Sequence, residues 1–236
     1  MSETPPAVPR HIVFIPDGNR RWAKLHGKPL LEGHSAGIDN LRSVAAWCRD
    51  AGVKTVTFWG FSSENFSRDR SEVEGLMRLF VSKFEEFKDH SEVHKNKVRV
   101  RFFGRLGMLP SPLRGKLREV EKETESHSDY LLNILIAYGG RQEIVDACNA
   151  AIADAKAGRI SGVTEESFGK YVYMSGIEEP DLIVRTSGEM RLSGVLPWQS
   201  GYSELYFPEA LWPDFSEADF KAALAEFAKR KRRFGK

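Results

Sequence analysis

The run Leu131-Leu132-Asn133-Ile134-Leu135-Ile136-Ala137, followed at once by Tyr138-Gly139-Gly140-Arg141, sets the architecture of this chain. The run is too apolar to alternate, so the strand it forms must be covered on both faces. Such strands lie in the middle of parallel sheets that carry helices on either side. The paired glycines then mark a strand-to-helix turn, where backbone comes close to a ligand or simply packs tightly. Ile144, Val145, Cys148 and Ile152 fall at helical spacing and mark the helix that follows.

The same alternation extends in both directions. His11 to Ile15, Thr55 to Phe61, Val98 to Phe103, Asp181 to Val184 and Ser203 to Phe207 read as strands. Between them, Ile38, Leu41, Ala45 and Cys48 form a helical stripe that stops at Gly52. Ser71-Glu72-Val73-Glu74 fits a capping box. Behind it Val73, Leu76, Met77, Phe80, Phe84 and Phe87 line one face of a long helix, as core or as the wall of a tunnel. Pro112 to about His127 reads as a polar, exposed helix. Ser216 opens a last helix with Phe220, Leu224 and Phe227 inward. Strands alternating with helices define an α/β fold with a mostly parallel sheet. Ligands in such sheets bind beyond the carboxyl ends of the strands, so the loops there carry the chemistry.

Composition narrows the class. The 236 residues suffice for one large domain, 11–236, after a short disordered lead over 1–10. A net charge of +2 argues against a general nucleic-acid binder. Cys48 and Cys148 stand apart and read as buried, reduced thiols, which fits a cytoplasmic setting. No apolar run is long enough to span a bilayer, and the first residues lack the pattern of a secretory signal.

Four loops stand out. After the first strand comes Pro16-Asp17-Gly18-Asn19-Arg20-Arg21-Trp22, where a glycine turn opens a helix whose amides favour an anion. Its arginines add fork-shaped donors for phosphate. Asp17 would repel a bare phosphate, and makes sense if a hard cation such as magnesium sits between them. The bland alternative is a capped surface turn. After the second strand, Phe61-Ser62-Ser63-Glu64-Asn65-Phe66-Ser67-Arg68 mixes polar groups with two aromatic rings, as suits a polar head beside an apolar tail. After the fifth, Arg185-Thr186-Ser187-Gly188-Glu189-Met190-Arg191-Leu192-Ser193-Gly194 reads as a second diphosphate site. Then Trp198-Gln199-Ser200-Gly201-Tyr202-Ser203-Glu204 brings a carboxylate to the head of a strand.

Other chemistries lack their signatures. There is no G-x-x-x-x-G-K-[ST], no G-x-G-x-x-G after the first strand, no G-x-S-x-G and no D-D-x-x-D. His90 and His94 match no zinc motif and read as a solvated helix end.

Taken together, Asp17 to Ala23, Gly33-His34, Phe61 to Asn65, Tyr138 to Arg141, Arg185 to Glu189, Trp198-Gln199, Tyr202 to Phe207 and the tail Arg232-Arg233-Phe234-Gly235 resemble the cis-prenyltransferases over nearly the whole chain. The resemblance implies a homodimer with a central six-stranded sheet and a hydrophobic tunnel. It implies condensation of isopentenyl diphosphate with an allylic diphosphate, with Mg2+ held by Asp17 and Glu204. Gly18, Asn19, Arg20, Arg21, Trp22, His34, Ser62, Phe66 and Arg68 would bind the allylic diphosphate, and Asp17 and Asn65 would serve catalysis. Arg185, Arg191, Ser193, Arg233 and Gly235 would hold isopentenyl diphosphate, the last two across the dimer. An unusual acceptor such as an alcohol, and a non-catalytic subunit of a heteromeric enzyme, are the alternatives. A basic tail, Lys229 to Lys236, is either a frayed helix end or a contact to anionic lipid.

The chain departs from the family pattern at Leu30, where arginine is usual, at Arg105, where an acid is common, at Phe66 in place of tryptophan, and at Ala137 in place of asparagine. Bulky Ile134-Leu135-Ile136 hints at a shorter product.

Overall fold

A computed structural model of the chain describes residues 7–88 and 91–230. The strands are β1 (His11–Ile15), β2 (Thr55–Ser62), β3 (Val98–Phe103), β4 (Tyr130–Tyr138), β5 (Leu182–Arg185) and β6 (Glu204–Tyr206). The helices are α1 (Asn19–Leu25), α2 (Leu30–Asp50), α3 (Arg70–Lys88), α4 (Ser91–Lys95), α5 (Ser111–Glu123), α6 (Gly140–Lys156), α7 (Glu165–Phe168) and α8 (Glu217–Lys229). Most of the 1–10 lead, the Phe87 side chain, His90 and the tail residues Arg233 and Gly235 lie outside the described residues.

The six strands form one sheet in the order β3-β4-β2-β1-β5-β6, and every pairing is parallel. β4 is flanked by β2 and β3 and is buried from Leu132 to Tyr138, as its unbroken apolar run requires. From β1 the chain crosses to β2 on one side, while β5 on its other side leads to β6. The loops after β1 and β5 therefore part, and the crevice between them is where a sheet of this kind takes ligands.

Successive residues of β1 serve opposite faces, as pleating dictates. Ile12 and Phe14 join a large core with Phe58, Leu76, Phe80, Trp212 and Phe215, whereas Val13 and Ile15 join Leu135, Tyr138, Ile183 and Leu196.

Four local expectations change. Helix α3 begins at Arg70 and is capped by Asp69, whose Oδ1 accepts from the Ser71 and Glu72 amides. Ser71 is thus inside the helix and is not its cap. Helix α5 is half buried through Leu113, Leu117 and Val120. Helix α6 turns Glu143, Ala147 and Ala151 inward and leaves Val145 and Ile152 exposed. Small inward residues let the helix sit close to the sheet. Cys48 is buried, but Cys148 is exposed on that outer face of α6, and both are free thiols.

The one polar residue in the β4 run has a purpose. Asn133 Nδ2 donates to Thr57 Oγ1 at 3.1 Å, and Thr57 Oγ1 lies 2.8 Å from His11 Nε2. His11 Nδ1 lies 2.6 Å from the Glu178 carbonyl, which can only accept. Burial holds the His11 pKa down to about 4, so the imidazole is neutral. Its Nδ1 then donates to the Glu178 carbonyl and its Nε2 accepts from the Thr57 hydroxyl. Unfolded histidine titrates near 6.5, so between these values the unfolded chain binds more protons. Stability is complete above about pH 6.5 and is lost as the pH falls toward 4. From His11 alone the loss between pH 7 and pH 5 is roughly 2 kcal/mol. Urea midpoints over that range will show it, and His11→Gln will flatten the dependence. His34 shares the same window, so the flattening will be partial.

Candidate active site

At the end of β1 the backbone turns through Gly18, whose φ of 112° is a left-handed value. A Cβ there would also lie 2.9 Å from the Leu211 side chain. This turn leaves Asp17 in the crevice. The Asp17 amide donates to Thr186 Oγ1 at 3.0 Å, and the Thr186 hydroxyl donates back to the Asp17 carbonyl at 2.7 Å. The β1 and β5 loops are thus stitched together by backbone as well as by charge.

Arg185, only 5% exposed, joins the two loops. Its Nη2 donates to Asp17 Oδ2 at 2.8 Å, and its Nη1 donates to the Arg191 carbonyl at 2.6 Å and to Ser193 Oγ at 2.7 Å. Its buried Nε has no partner. The loop that accepts these bonds is strained, with Ser187 at φ 77° and Ser193 at φ 51°. Arg21 reaches the same place. It donates to Ser187 Oγ, lies 3.4 Å from Asp17 Oδ1, and lies 3.4 Å from Glu189, which also pairs with Arg191.

Across the crevice, a short helical turn over 63–67 follows β2. Ser62 caps it: its Oγ accepts from the Asn65 amide, and Asn65 Oδ1 accepts from the Ser62 amide. Beyond it Glu72 of α3, nearly buried, gathers three bases. It lies 3.3 Å from Arg68, 3.6 Å from Arg20 and 3.7 Å from His34. Burial pulls the Arg68 pKa below its ordinary value, with Glu72 opposing that fall and Arg20 adding to it. Burial, then the charge of Arg68, holds His34 down to about 4, so it is neutral at physiological pH.

A cavity of about 680 Å³ opens between these loops. Asp17, Asn19, His34, Ser62, Asn65, Arg68, Arg185 and Ser193 are brought together in its lining. Arg20 and Arg21 join through their ion pairs to Glu72 and Asp17. Arg191 stands at the outer edge on Glu189. Three expected residues lie elsewhere. Trp22 turns outward, donating to Asp214 Oδ1 at 2.7 Å and stacking on His26. Phe66 packs edge-on against Phe61 in the core and faces the far side of α3. Glu204 pairs with Leu182 at the beginning of β5, the opposite end from the Asp17 level, and binds Arg230 at 2.8 Å. Within one chain it does not meet Asp17. Arg233 and Gly235 fall outside the described residues. Sequence reading also missed Glu72, Trp59 and Arg141. Glu72 had a weaker signal, a carboxylate in the first turn of α3 close in sequence to Arg68. Trp59 reaches the cavity beside Gly60, where the register with β4 slips.

Below the mouth lies an apolar cavity of about 100 Å³. It shares Pro16, Asn19, His34, Trp59, Gly60 and Leu76 with the first and adds Phe80, Phe84 and Ile134. A further apolar cavity of about 220 Å³ shares its Leu41, Arg42 and Leu132.

Asp17 is suited to magnesium. Its Oδ1 is held only loosely by Arg21, at 3.4 Å, and it faces the cavity. Among the described residues no group of three His, Cys, Asp or Glu side chains is poised for a metal.

A deep α/β crevice lined by paired arginines above an apolar cavity defines an enzyme of prenyl diphosphates. The family described as "Putative undecaprenyl diphosphate synthase" matches residues 15–235. A tritrans,polycis-undecaprenyl-diphosphate synthase (geranylgeranyl-diphosphate specific) of Methanopyrus kandleri is 45% identical over 231 residues, 97% of this chain and 85% of the relative. An isoprenyl transferase of Thermotoga maritima is 44% identical over 228 residues, covering 97% of each chain. Lavandulyl diphosphate synthase from Lavandula x intermedia, solved with dimethylallyl diphosphate, superposes with a TM-score of 0.91 at 31% identity, covering 97% of this chain and 98% of that one. The chain belongs to this family. It is a cis-prenyltransferase, which condenses isopentenyl diphosphate with an allylic diphosphate to give a Z-prenyl chain and diphosphate.

The Glu72 cluster can be tested apart from the rest. Glu72→Ala frees Arg20, Arg68 and His34 together, and kcat/KM for the allylic substrate is expected to fall at least about tenfold. The KM for isopentenyl diphosphate should stay within about twofold, as steady-state kinetics with each substrate varied will show.

Proposed function

We propose that the allylic diphosphate sits over Asp17, Asn19 and Arg21, with Arg20, Arg68 and His34 beside it, and that isopentenyl diphosphate sits on Arg185, Arg191 and Ser193. The observation that carries this reading is the Arg185 guanidinium, bonded at once to Asp17 and to Ser193. Two diphosphates flanking that group stand side by side, in position to react.

Asp17 would hold a magnesium ion, which would supply charge neutralisation to the leaving diphosphate. Arg21 is released from Asp17 and Glu189 to meet the same oxygens, and its planar fork suits them. The developing positive charge at the allylic carbon lies beside neutral His34, which adds no repulsion. Asn65 has its Oδ1 engaged by the Ser62 amide, which leaves its amide hydrogens to point a diphosphate. A diphosphate oxygen then takes the proton lost on forming the Z double bond. The prenyl tail occupies the apolar cavities below, along Leu76, Phe80 and Phe84. Of the bulky run Ile134-Leu135-Ile136, only Ile134 lines that space, so the case for a short product loses most of its weight.

Assembly as a homodimer belongs to the same reading. The exposed Val145, Cys148 and Ile152 face of α6 supports it. A second copy is also the only source of a Glu204 near Asp17. Among the described residues no helix is long and apolar enough to cross a membrane. A cytoplasmic enzyme touching lipid through its basic tail is the setting we propose.

Asp17→Ala is expected to lose at least about a hundredfold in turnover with its circular dichroism unchanged, and EDTA should abolish incorporation of labelled isopentenyl diphosphate by the wild type. Arg191→Ala should raise the KM for isopentenyl diphosphate about tenfold and leave the allylic KM alone. An unchanged value would move the second site elsewhere.

A further inference from the structure

Behind the cavity lies a buried polar hub that the reading above does not use. Glu143 of α6 is fully buried. Its carboxylate accepts from the Tyr138 hydroxyl, from the Tyr173 amide at 2.9 Å and from Gln199 Nε2 at 2.9 Å. The Tyr138 hydroxyl accepts in turn from the Leu196 amide at 3.1 Å. The Gly140 amide donates to the Gly194 carbonyl at 3.1 Å. That contact needs glycine, because a Cβ at 140 would lie 2.2 Å from the Gly194 oxygen and 2.3 Å from Pro197.

All of these connections except the one to Tyr173 reach one short stretch, 194–199, immediately after Ser193. Ser193, Gly194 and Leu196 all have positive φ, at 51°, 85° and 47°. Gly194 takes its angle freely, but Ser193 and Leu196 hold left-handed values that side chains disfavour, and their surroundings must hold them there. Glu143, Tyr138 and Gln199 do not line the cavity, so their cost as buried polar groups is met by holding something else in place.

We infer that Glu143 is a positioning residue for the isopentenyl diphosphate side of the reaction. Through Tyr138 and Gln199 it clamps the 194–199 stretch to the start of α6. That keeps Ser193 and the Arg191 carbonyl on Arg185. The inference rests on the assignment of Arg185, Arg191 and Ser193 to isopentenyl diphosphate.

The test is steady-state kinetics on the purified full chain, with Glu143→Gln and Tyr138→Phe. Each is expected to raise the KM for isopentenyl diphosphate about tenfold, with the allylic KM within about twofold and kcat within about threefold. A rise confined to the KM for isopentenyl diphosphate is the signature that a merely structural lesion would not give. If both single variants lose the fold, Gln199→Leu, which removes one donor from Glu143, carries the same readout. A parallel rise in both KM values, or no rise in either in folded protein, overturns the inference. If Arg191→Ala leaves the isopentenyl diphosphate KM unchanged, the site assignment falls and this inference with it. If Arg191→Ala behaves as expected and Glu143→Gln does not, only this inference falls.

Discussion

A guanidinium removed from water is tolerated only where carboxylate and carbonyl oxygens replace its hydration. Arg185 satisfies that condition by drawing on both sides of the crevice at once, Asp17 from the β1 loop and Ser193 with the Arg191 carbonyl from its own. Much else follows from this. The loops after β1 and β5 part because the chain leaves their strands in opposite directions, and the Arg185 fork holds them at a fixed separation. Thr186 repeats the stitch in backbone hydrogen bonds. Strained Ser193 is held by its bond from Arg185, and strained Ser187 by its bonds from Arg21.

The sheet was legible because burial on both faces leaves a plain mark: β1, β4 and β5 carry almost nothing polar. Where a polar residue did interrupt, its reason lay far away in sequence. Asn133 answers to Thr57 and His11 on two other strands, and no local pattern announces that. The candidate site was legible wherever a charged residue followed a strand directly, as Asp17 and Arg185 do. It was illegible where direction decides the outcome. Trp22 and Phe66 have the right neighbours in sequence but turn outward or into the core. Asn65 and Arg68 each have a structural role, a capping box and an ion pair to Glu72, while both still line the cavity. Structural and functional readings of such residues are not exclusive.

Two departures from the family pattern acquire physical content. Ala137 has φ 51°, a conformation that asparagine accepts more readily than alanine, so alanine carries strain here. Arg105, found where an acid is common, makes a two-pronged pair with Asp146 at 2.9 and 2.8 Å. The change of sign at one position is thus matched by a carboxylate within the same protein.

Glu72 and Glu189 mean that the arginines around the crevice are already engaged before any diphosphate arrives. An incoming substrate must trade places with an internal carboxylate, so a single weak anion gains little by entering. Entry to this crevice is therefore an exchange of ion pairs, in which a doubly charged diphosphate has more to offer than a single carboxylate.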